Sequence, residues 1–347
     1  MKKKYNYIDL FAGIGGFRLA LDNLGLQCVF SSELNKSCQD IYELNFGDRP
    51  TGDISEIPSK SIPKFDIMTG GFPCQPFSYA GKKDGFKDPK NGHLFSEILR
   101  ILGDQERRPK MFLLENVKGI KSLEKGETLK NIIGALEDLK YKVYDTVLNS
   151  YDFGVPQYRE RWFCAGFDKN IHFEFPRGNK SGSKLKNIVE VDENEEKLKL
   201  PERELELIKN HFKSKEKRVK HNWTHSRPDS KMGRHGVYSY LKPDNSLRFH
   251  VGDFAKSQIQ DFYYASLESV APAIIVTRAP KLWDLKRWLS VLECKRLQGF
   301  PDNFKFKGVA DGTAKKQLGN AVTVQVVEEI MRCMISDYER NVPSLVG

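Results

Sequence analysis

The sequence predicts an α/β protein, built on a mostly parallel sheet with helices on both faces and extended by a smaller, irregular second domain. Over residues 1–170, short apolar runs alternate with stretches of helical periodicity, which is the pattern of strands joined by crossover helices. A glycine-rich turn joins the first strand to the first helix, and after about Phe167 the chain becomes rich in Lys, Glu, Asn and Ser. We therefore expect one domain over 1–170, a second over 171–287, and a return to the first over 288–347.

The elements follow the chain in the order that such a fold requires. Strands are expected at 5–11, 28–33, 65–70, 111–115, 142–149 and 161–167, and helices at 16–24, 36–45, 94–102 and 129–139. The second domain offers one charged helical stretch, 201–213, among recurring turn formers. The last region returns to helical spacing at 290–297 and 322–334.

Composition limits the class of protein. The chain has 347 residues and a formal charge of +10, which favours a polyanionic partner, nucleic acid above all, over a merely basic solvated surface. No run of 18 apolar residues occurs, so we expect no membrane helix, and the basic N-terminus lacks the apolar stretch of a signal peptide. Six scattered cysteines without a CxxC pair indicate neither zinc nor disulfides. We expect a cytoplasmic protein without a metal.

The first turn has the features of a nucleoside-binding site. Gly13, Gly15 and Gly16 allow a close approach between backbone and ligand. Glu33 follows the second strand about 20 residues later, where a carboxylate would accept ribose hydroxyl bonds. The pattern is not GxGxxG, which argues against a dinucleotide and against a nicotinamide-dependent dehydrogenase.

The segment 70–78, Gly-Gly-Phe-Pro-Cys-Gln-Pro-Phe-Ser, places Cys74 between two prolines just past an apolar strand. Parallel sheets bind ligands at this edge, and the prolines restrict the backbone around the thiol. A lone cysteine after a strand is more often structural than catalytic, but this rigid frame favours a nucleophile.

At this point the sequence resembles the DNA cytosine-5 methyltransferases. The motifs that carry the resemblance are Phe-Ala-Gly-Ile-Gly-Gly at 11–16, Phe-Pro-Cys-Gln-Pro-Phe-Ser at 72–78, Leu-Glu-Asn-Val at 114–117, Gln-Tyr-Arg-Glu-Arg at 157–161, Arg-Leu-Gln-Gly-Phe-Pro-Asp at 296–302 and Gly-Asn-Ala-Val at 319–322. They occur in the family's order, cover about 1–168 and 288–331, and look closest to small bacterial restriction–modification enzymes. The resemblance implies a Rossmann-like S-adenosylmethionine-dependent methyltransferase domain followed by a target-recognition domain.

The resemblance also implies catalytic roles. Cys74 would add to C6 of a flipped-out cytosine, and Glu115 would hold N3 and the amino group of the ring. Arg161 would contact the base edge, and Arg159 would be a partner of the carboxylate or the thiolate. Both arginines lie at alternate positions of a strand-like run and should share one face. Without the motif, a salt-bridging Glu115 and two solvated arginines would be the ordinary alternatives.

The family pattern places S-adenosylmethionine across the glycine turn. The methionine part would meet Phe11, Gly13 and Asn320, the ribose would meet Glu33, and the adenine would meet Asp53, Ile54 and Pro73, with Gly15 and Gly16 in the turn itself. Asp53 could equally cap a turn. Leu34 stands where relatives often carry an aromatic residue, which leaves stacking on the adenine there open.

The remaining expectations concern DNA. The glycine- and lysine-containing stretch 80–91 is predicted to close over DNA and cover the nucleophile. The second domain would read duplex DNA, with no single residue favoured among Arg227, Lys231, Arg234, His235, Arg248, Tyr238, Tyr240 and Phe249. The alternatives are a transfer RNA cytosine-5 methyltransferase, whose Cys-Phe-Thr motif is absent here, and a catalytically inactive DNA-binding relative. We expect the enzyme to act as a monomer.

Overall fold

The computed structural model describes residues 5–72, 93–104, 106, 108–179, 182–190, 196–225, 235–251, 259–275 and 279–342. Its strands are β1 (Asn6–Leu10), β2 (Gln27–Ser32), β3 (Ile67–Gly71), β4 (Met111–Val117), β5 (Lys142–Asn149), β6 (Gln157–Tyr158), β7 (Glu160–Phe167), β8 (Val219–His225), β9 (His235–Leu241), β10 (Leu247–Val251), β11 (Ile259–Ala265), β12 (Ala271–Pro272), β13 (Lys281–Leu282) and β14 (Arg287–Trp288). Its α-helices are α1 (Gly16–Asn23), α2 (Lys36–Phe46), α3 (His93–Leu102), α4 (Glu127–Asp138), α5 (Glu202–Lys213), α6 (Val291–Gln298), α7 (Asp311–Asn320) and α8 (Val324–Asn341).

The first sheet has six strands in the order β2-β1-β3-β4-β7-β5. Strands β1 to β4 pair in parallel, whereas β7 runs antiparallel to both of its neighbours. The four parallel strands therefore end at one edge of the sheet, and that edge is where open α/β sheets place ligands.

Helices cover both faces of this sheet, which explains why its strands are apolar almost throughout. On one face, Tyr7 packs in a core with α1 and α8, represented by Leu21 and Ile330. On the other face, Ile8 packs in a core with α3 and α4, represented by Ile98. Successive residues of a strand point to opposite faces, so neighbouring apolar residues serve different cores.

The second region is more regular than the sequence pattern predicts. It holds a six-stranded sheet in the order β14-β13-β11-β10-β9-β8, packed against α5 through a small core that includes Leu207, Val237 and Phe249. Within that core, Lys281 Nζ lies 2.7 Å from Glu204 Oε1, and Tyr264 Oη donates to Glu204 Oε2 at 2.6 Å. Three buried polar groups thereby satisfy one another.

A short parallel pairing joins the two regions close to the first sheet. Strand β6 pairs with β12, and the Gln157 side chain donates to the Leu297 carbonyl at 2.7 Å while accepting from the Ile274 N–H at 3.0 Å. One buried amide thus links the start of β6 with α6 and with the chain leaving the second sheet. None of the helices in the described residues is both long and apolar enough to cross a membrane.

Candidate active site

A cavity of about 480 Å³ opens where the parallel strands end, a size within the usual range for small-molecule sites. It is lined by the predicted cofactor residues Phe11, Gly13, Gly16, Glu33, Asp53, Ile54 and Asn320. The same cavity is lined by three of the predicted catalytic residues, namely Glu115, Arg159 and Arg161. Side chains from three distant stretches of the chain, near residues 11–54, 115–161 and 320, therefore meet in one place.

Glu33 is held rigidly just after β2. Its Oε2 accepts the Gly13 N–H at 2.8 Å, and its Oε1 accepts the Asn35 N–H at 2.7 Å. Backbone donors fix the carboxylate orientation, and each oxygen keeps a further lone pair. The arrangement suits a ligand that presents two neighbouring hydroxyl groups, as a ribose does.

The glycines of the first turn serve different purposes. Gly13 has φ +57°, and a Cβ there would meet no atom within 4 Å, so the requirement is conformational. Gly15 has φ +90°, and its Cβ would lie 2.3 Å from the Phe46 ring, so it allows α1 to approach α2. Gly15 does not line the cavity, unlike Gly13. Phe11 also has a positive φ, 56°, which is uncommon for a bulky residue and stores backbone strain beside the cavity.

Asp53 caps a turn, as one of its two interpretations predicts, and it also lines the cavity. Its Oδ1 accepts the Ser55 N–H at 2.9 Å and the Ser55 hydroxyl at 2.8 Å, which caps a short 3-10 turn, Ile54–Glu56. Leu34 lines the same cavity and is 70% exposed. An aliphatic side chain thus stands at that wall, and an adenine there would have an apolar surface without an aromatic ring.

Glu115 lies at the end of β4, where it is only 8% exposed. Arg161 pairs with it across the strands, with Arg161 Nε 3.1 Å from Glu115 Oε1. Burial raises the pKa of Glu115 above its usual value, while the charges of Arg161 and, less strongly, Arg159 act to lower it. The carboxyl group is therefore easier to protonate than one in water, although two cations stand beside it.

The two arginines have different partners. Arg159 is 1% exposed, and its guanidinium donates to the carbonyls of Ile274 (3.1 Å), Gly319 (2.9 Å) and Ala321 (2.8 Å). Glu115 forms its ion pair with Arg161. Both side chains line the cavity, as the shared face predicted, but Arg159 is tied chiefly to the backbone on either side of Asn320. Its charge still contributes to the field around Glu115.

Several polar residues matter here that sequence reasoning did not single out. Asn116 Nδ2 donates to the Phe72 carbonyl at 3.0 Å, which anchors the last described residue before Cys74. Gln317 lines the cavity at 6% exposure, and its Oε1 has no hydrogen-bond partner within the described part of the chain. A buried acceptor of that kind fits a ligand that carries N–H or O–H groups. The available signal for Asn116 was its place inside the motif 114–117, whereas Gln317 lies two residues before the motif 319–322.

Some predicted residues lie outside the described residues. These are Cys74, Pro73, the stretch 80–91, and the DNA-reading candidates Arg227, Lys231 and Arg234. His235 begins β9, and Tyr238 lies in the same strand. Arg248 stacks over the Tyr263 ring at 3.5 Å, and Tyr240 Oη lies 3.0 Å from His250 Nε2. Phe249 is fully buried in the core of the second sheet, so it supports that sheet from inside and does not face DNA.

The five described cysteines are free thiols, of which Cys164 and Cys294 are buried and Cys28, Cys38 and Cys333 are half-buried. Burial raises the pKa of Cys28 to about 11 and that of Cys38 to about 12, so both remain protonated at neutral pH. Among the residues that the structure describes, no three His, Cys, Asp or Glu side chains are grouped as metal ligands would be.

Known proteins resemble this chain over almost its whole length. A family model described as C-5 cytosine-specific DNA methylase matches residues 5–336. The Type II methyltransferase M.DsaV of Dactylococcopsis salina is 39% identical over 339 residues, which cover 96% of this chain and 87% of that protein. M.HhaI of Haemophilus parahaemolyticus, also a Type II methyltransferase, is 34% identical over 328 residues, which cover 93% of this chain and 92% of that protein.

Solved structures share the fold. The Dnmt2 methyltransferase of S. pombe superimposes with a TM-score of 0.66 at 18% identity, covering 98% of this chain and 100% of that one. A putative DNA modification methyltransferase encoded within an E. coli prophage gives 0.63 at 19% identity, covering 96% and 99%. These likenesses confirm the predicted fold class. Since the family model spans residues 5–336 and relatives are up to 39% identical, the chain belongs to the C-5 cytosine-specific DNA methylase family, the S-adenosylmethionine-dependent DNA cytosine-5 methyltransferases.

Proposed function

We propose that this enzyme methylates C5 of a cytosine flipped out of duplex DNA, through a covalent adduct between the Cys74 sulfur and C6 of the base. The observation that carries the proposal is the ion pair between buried Glu115 and half-buried Arg161, 3.1 Å apart in the lining of the cavity. It lies beside Phe72, two residues before Cys74 in the chain, which Asn116 holds by a hydrogen bond. A base stacked in a duplex could not reach such a recess, so it must be flipped.

Residues of this chain are assigned to the attack on C6 and to the activation of the ring. The Cys74 thiolate adds to C6 while Glu115 donates a proton or a hydrogen bond to N3, which moves electron density to C5. When bound, S-adenosylmethionine would supply the methyl group to C5, with S-adenosylhomocysteine as the leaving group. Loss of the C5 proton to a base, return of the N3 proton to Glu115 and expulsion of the Cys74 sulfur then restore the aromatic ring. Arg161 keeps Glu115 in place and would face the base edge, and the charges of Arg159 and Arg161 would favour the thiolate.

The chain's own residues fit S-adenosylmethionine. Glu33 would hold the ribose, Asp53, Ile54 and Pro73 the adenine, and Phe11, Gly13 and Asn320 the methionine part. Gly15 and Gly16 shape the turn between them. The fit rests on the fixed Glu33 carboxylate and on the buried Gln317 acceptor, both of which suit a ligand rich in hydroxyl and amino groups.

Residues 1–170 would form the catalytic domain, 171–287 the target-recognition domain, and 288–347 the return to the first domain. The named relatives are Type II methyltransferases, which supports a role as the modification half of a restriction–modification system. We further propose a monomer that acts in the bacterial cytoplasm on nucleoid DNA.

The decisive assay offers duplex DNA of random sequence and transfer RNA to the purified chain with labelled S-adenosylmethionine. We expect methylcytosine in duplex DNA, at cytosines within one short sequence. Labelling of transfer RNA alone would overturn the proposal in favour of an RNA methyltransferase, and no labelling of either would favour an inactive relative.

Covalent attack is tested separately. In DNA carrying 5-fluorocytosine, the C5 substituent cannot leave as a cation, so the Cys74 adduct should persist through denaturing electrophoresis. Cys74→Ala should lose both the trapped complex and methyl transfer while still binding S-adenosylhomocysteine. Turnover by that variant would refute the nucleophile.

A further inference from the structure

Arg100, on α3, uses both terminal nitrogens of its guanidinium to hold one short piece of chain. Its Nη2 donates to the Ile54 and Ile57 carbonyls, each at 3.0 Å, and its Nη1 donates to the Ser59 hydroxyl at 2.6 Å. Its Nε donates to Glu97 at 2.7 Å, one turn back along the same helix. The buried Glu97 carboxylate thereby sets the direction in which the guanidinium points.

The piece of chain that Arg100 holds forms a wall of the cofactor cavity. Asp53 and Ile54 line that cavity, and the backbone from Ile54 to Glu56 is a single 3-10 turn. This turn belongs to neither six-stranded sheet, so no strand ladder fixes its carbonyls. Arg100 supplies the hydrogen-bond donors that a neighbouring strand would otherwise give to carbonyls at the end of this turn.

The same helix also reaches the cavity directly. Leu94, in the first turn of α3, lines it, and Arg100 follows six residues later, about 9 Å along the axis. Helix α3 therefore borders the cavity at Leu94, and through Arg100 it holds the turn that contributes Asp53 and Ile54 to the same cavity. A change at Arg100 would remove the hydrogen bonds that hold this turn against α3.

We propose that Arg100 is a positioning residue of the cofactor site, which places the Asp53–Ile54 wall at the distance from α3 that S-adenosylmethionine requires. This inference rests on the proposed function, because the proposal assigns Asp53 and Ile54 to the adenine. Only the planar fork of arginine reaches three acceptors at once, whereas lysine donates from a single point. Arg100→Lys keeps the charge and loses the geometry.

The test measures equilibrium binding of S-adenosylhomocysteine by calorimetry, without DNA, beside the KM for S-adenosylmethionine. For Arg100→Lys we expect the Kd and that KM to rise about tenfold, equivalent to about 1.4 kcal/mol. The rise should exceed any fall in kcat and any rise in the KM for DNA. Glu97→Gln, which removes the orienting charge, should shift the Kd in the same direction by a smaller factor.

Arg108 provides a matched control. Its guanidinium also holds two backbone carbonyls, those of Leu139 (2.6 Å) and Lys140 (2.8 Å), and stacks on the Tyr141 ring at 4.2 Å. It precedes β4, at the end of the sheet away from the cavity. Arg108→Lys should lower the melting temperature about as much as Arg100→Lys and leave the Kd for S-adenosylhomocysteine unchanged.

Two results would overturn the inference. The first is an unchanged Kd in both Arg100→Lys and Glu97→Gln, with melting temperatures that fall as in the control, which would make Arg100 purely structural. The second is an equal rise in Kd for Arg100→Lys and Arg108→Lys, which would reflect general loosening. Since binding is measured on folded protein without DNA or Cys74 chemistry, a failure of the proposed methylation would leave this comparison standing.

Discussion

Glu115 combines burial, which favours its neutral form, with an arginine at 3.1 Å that favours its charged form. Such a balance suits a group that must give a proton and take it back within one reaction cycle. Glu115→Gln keeps the shape and a hydrogen-bond donor but cannot release a proton. We expect kcat for DNA methylation to fall about 10²- to 10⁴-fold, with binding of S-adenosylhomocysteine retained.

Single-turnover methylation of duplex DNA measures this effect. Glu160→Gln is the matched control, because the Glu160 side chain is exposed and pairs with Lys118 at 3.0 Å. Equal losses in the two variants would contradict the role of Glu115 as a proton donor.

Asp9, in the middle of the parallel sheet, makes stability depend on pH. It is fully buried, its Oδ1 accepts the Thr69 hydroxyl at 3.0 Å, and its Oδ2 has no partner within the described residues. Burial raises its pKa to about 7. The folded state therefore holds a proton that the unfolded chain releases near pH 4, and stability is lost as the pH rises from there through about 7.

Asp9→Asn cannot ionise and should escape that loss. The free energy of unfolding of the variant, relative to the unsubstituted protein, should rise by about 2 kcal/mol between pH 5 and pH 8. Urea titrations of both proteins at each pH give this difference. Parallel pH profiles would show that Asp9 has an ordinary pKa.

At the level of elements, the junction of α1 and α2 depends on one glycine. Gly15→Ala would combine a left-handed backbone, φ +90°, with a Cβ 2.3 Å from the Phe46 ring. We expect a loss of about 2–4 kcal/mol in the free energy of unfolding, from backbone strain and overpacking together. Gly13→Ala has the strain without the clash and should cost about 1–2 kcal/mol. Equal costs, measured by urea unfolding without cofactor, would mean that the helices adjust freely.

The ends of most strands of the first sheet could be predicted to within two residues, because apolar periodicity defines each strand and turn-forming glycines often follow it. Two features of the fold could not be predicted from the sequence. Helix α7 (Asp311–Asn320) reads as a polar stretch containing two glycines, and it is held by packing against its neighbours. The second sheet is built from short strands whose alternation is interrupted by charged residues, so tertiary pairing overrides the local pattern.

At the scale of the whole molecule, the charge of +10 makes DNA binding sensitive to salt. Each phosphate contact releases a counterion, and about six contacts would lower the affinity about 10³-fold between 50 and 200 mM salt. Fluorescence anisotropy with a labelled duplex at several salt concentrations measures the slope. A flat slope would place the positive surface away from the DNA.

By itself the sequence determined the fold class, the strand ends at which the chemistry gathers, and the residue types in the motifs, because these depend on periodicity and on short-range spacing. Only the tertiary structure decided the pairing of polar groups. In that structure Glu115 pairs with Arg161. Arg159 instead donates to the carbonyls of Ile274, Gly319 and Ala321, and Ala321 lies 162 positions away along the chain. Backbone carbonyls carry no sequence signature, so the acceptors of a buried arginine are those that the packed chain brings within reach. For Arg159 they satisfy the two terminal nitrogens, whereas its Nε has no hydrogen-bond partner among the described residues.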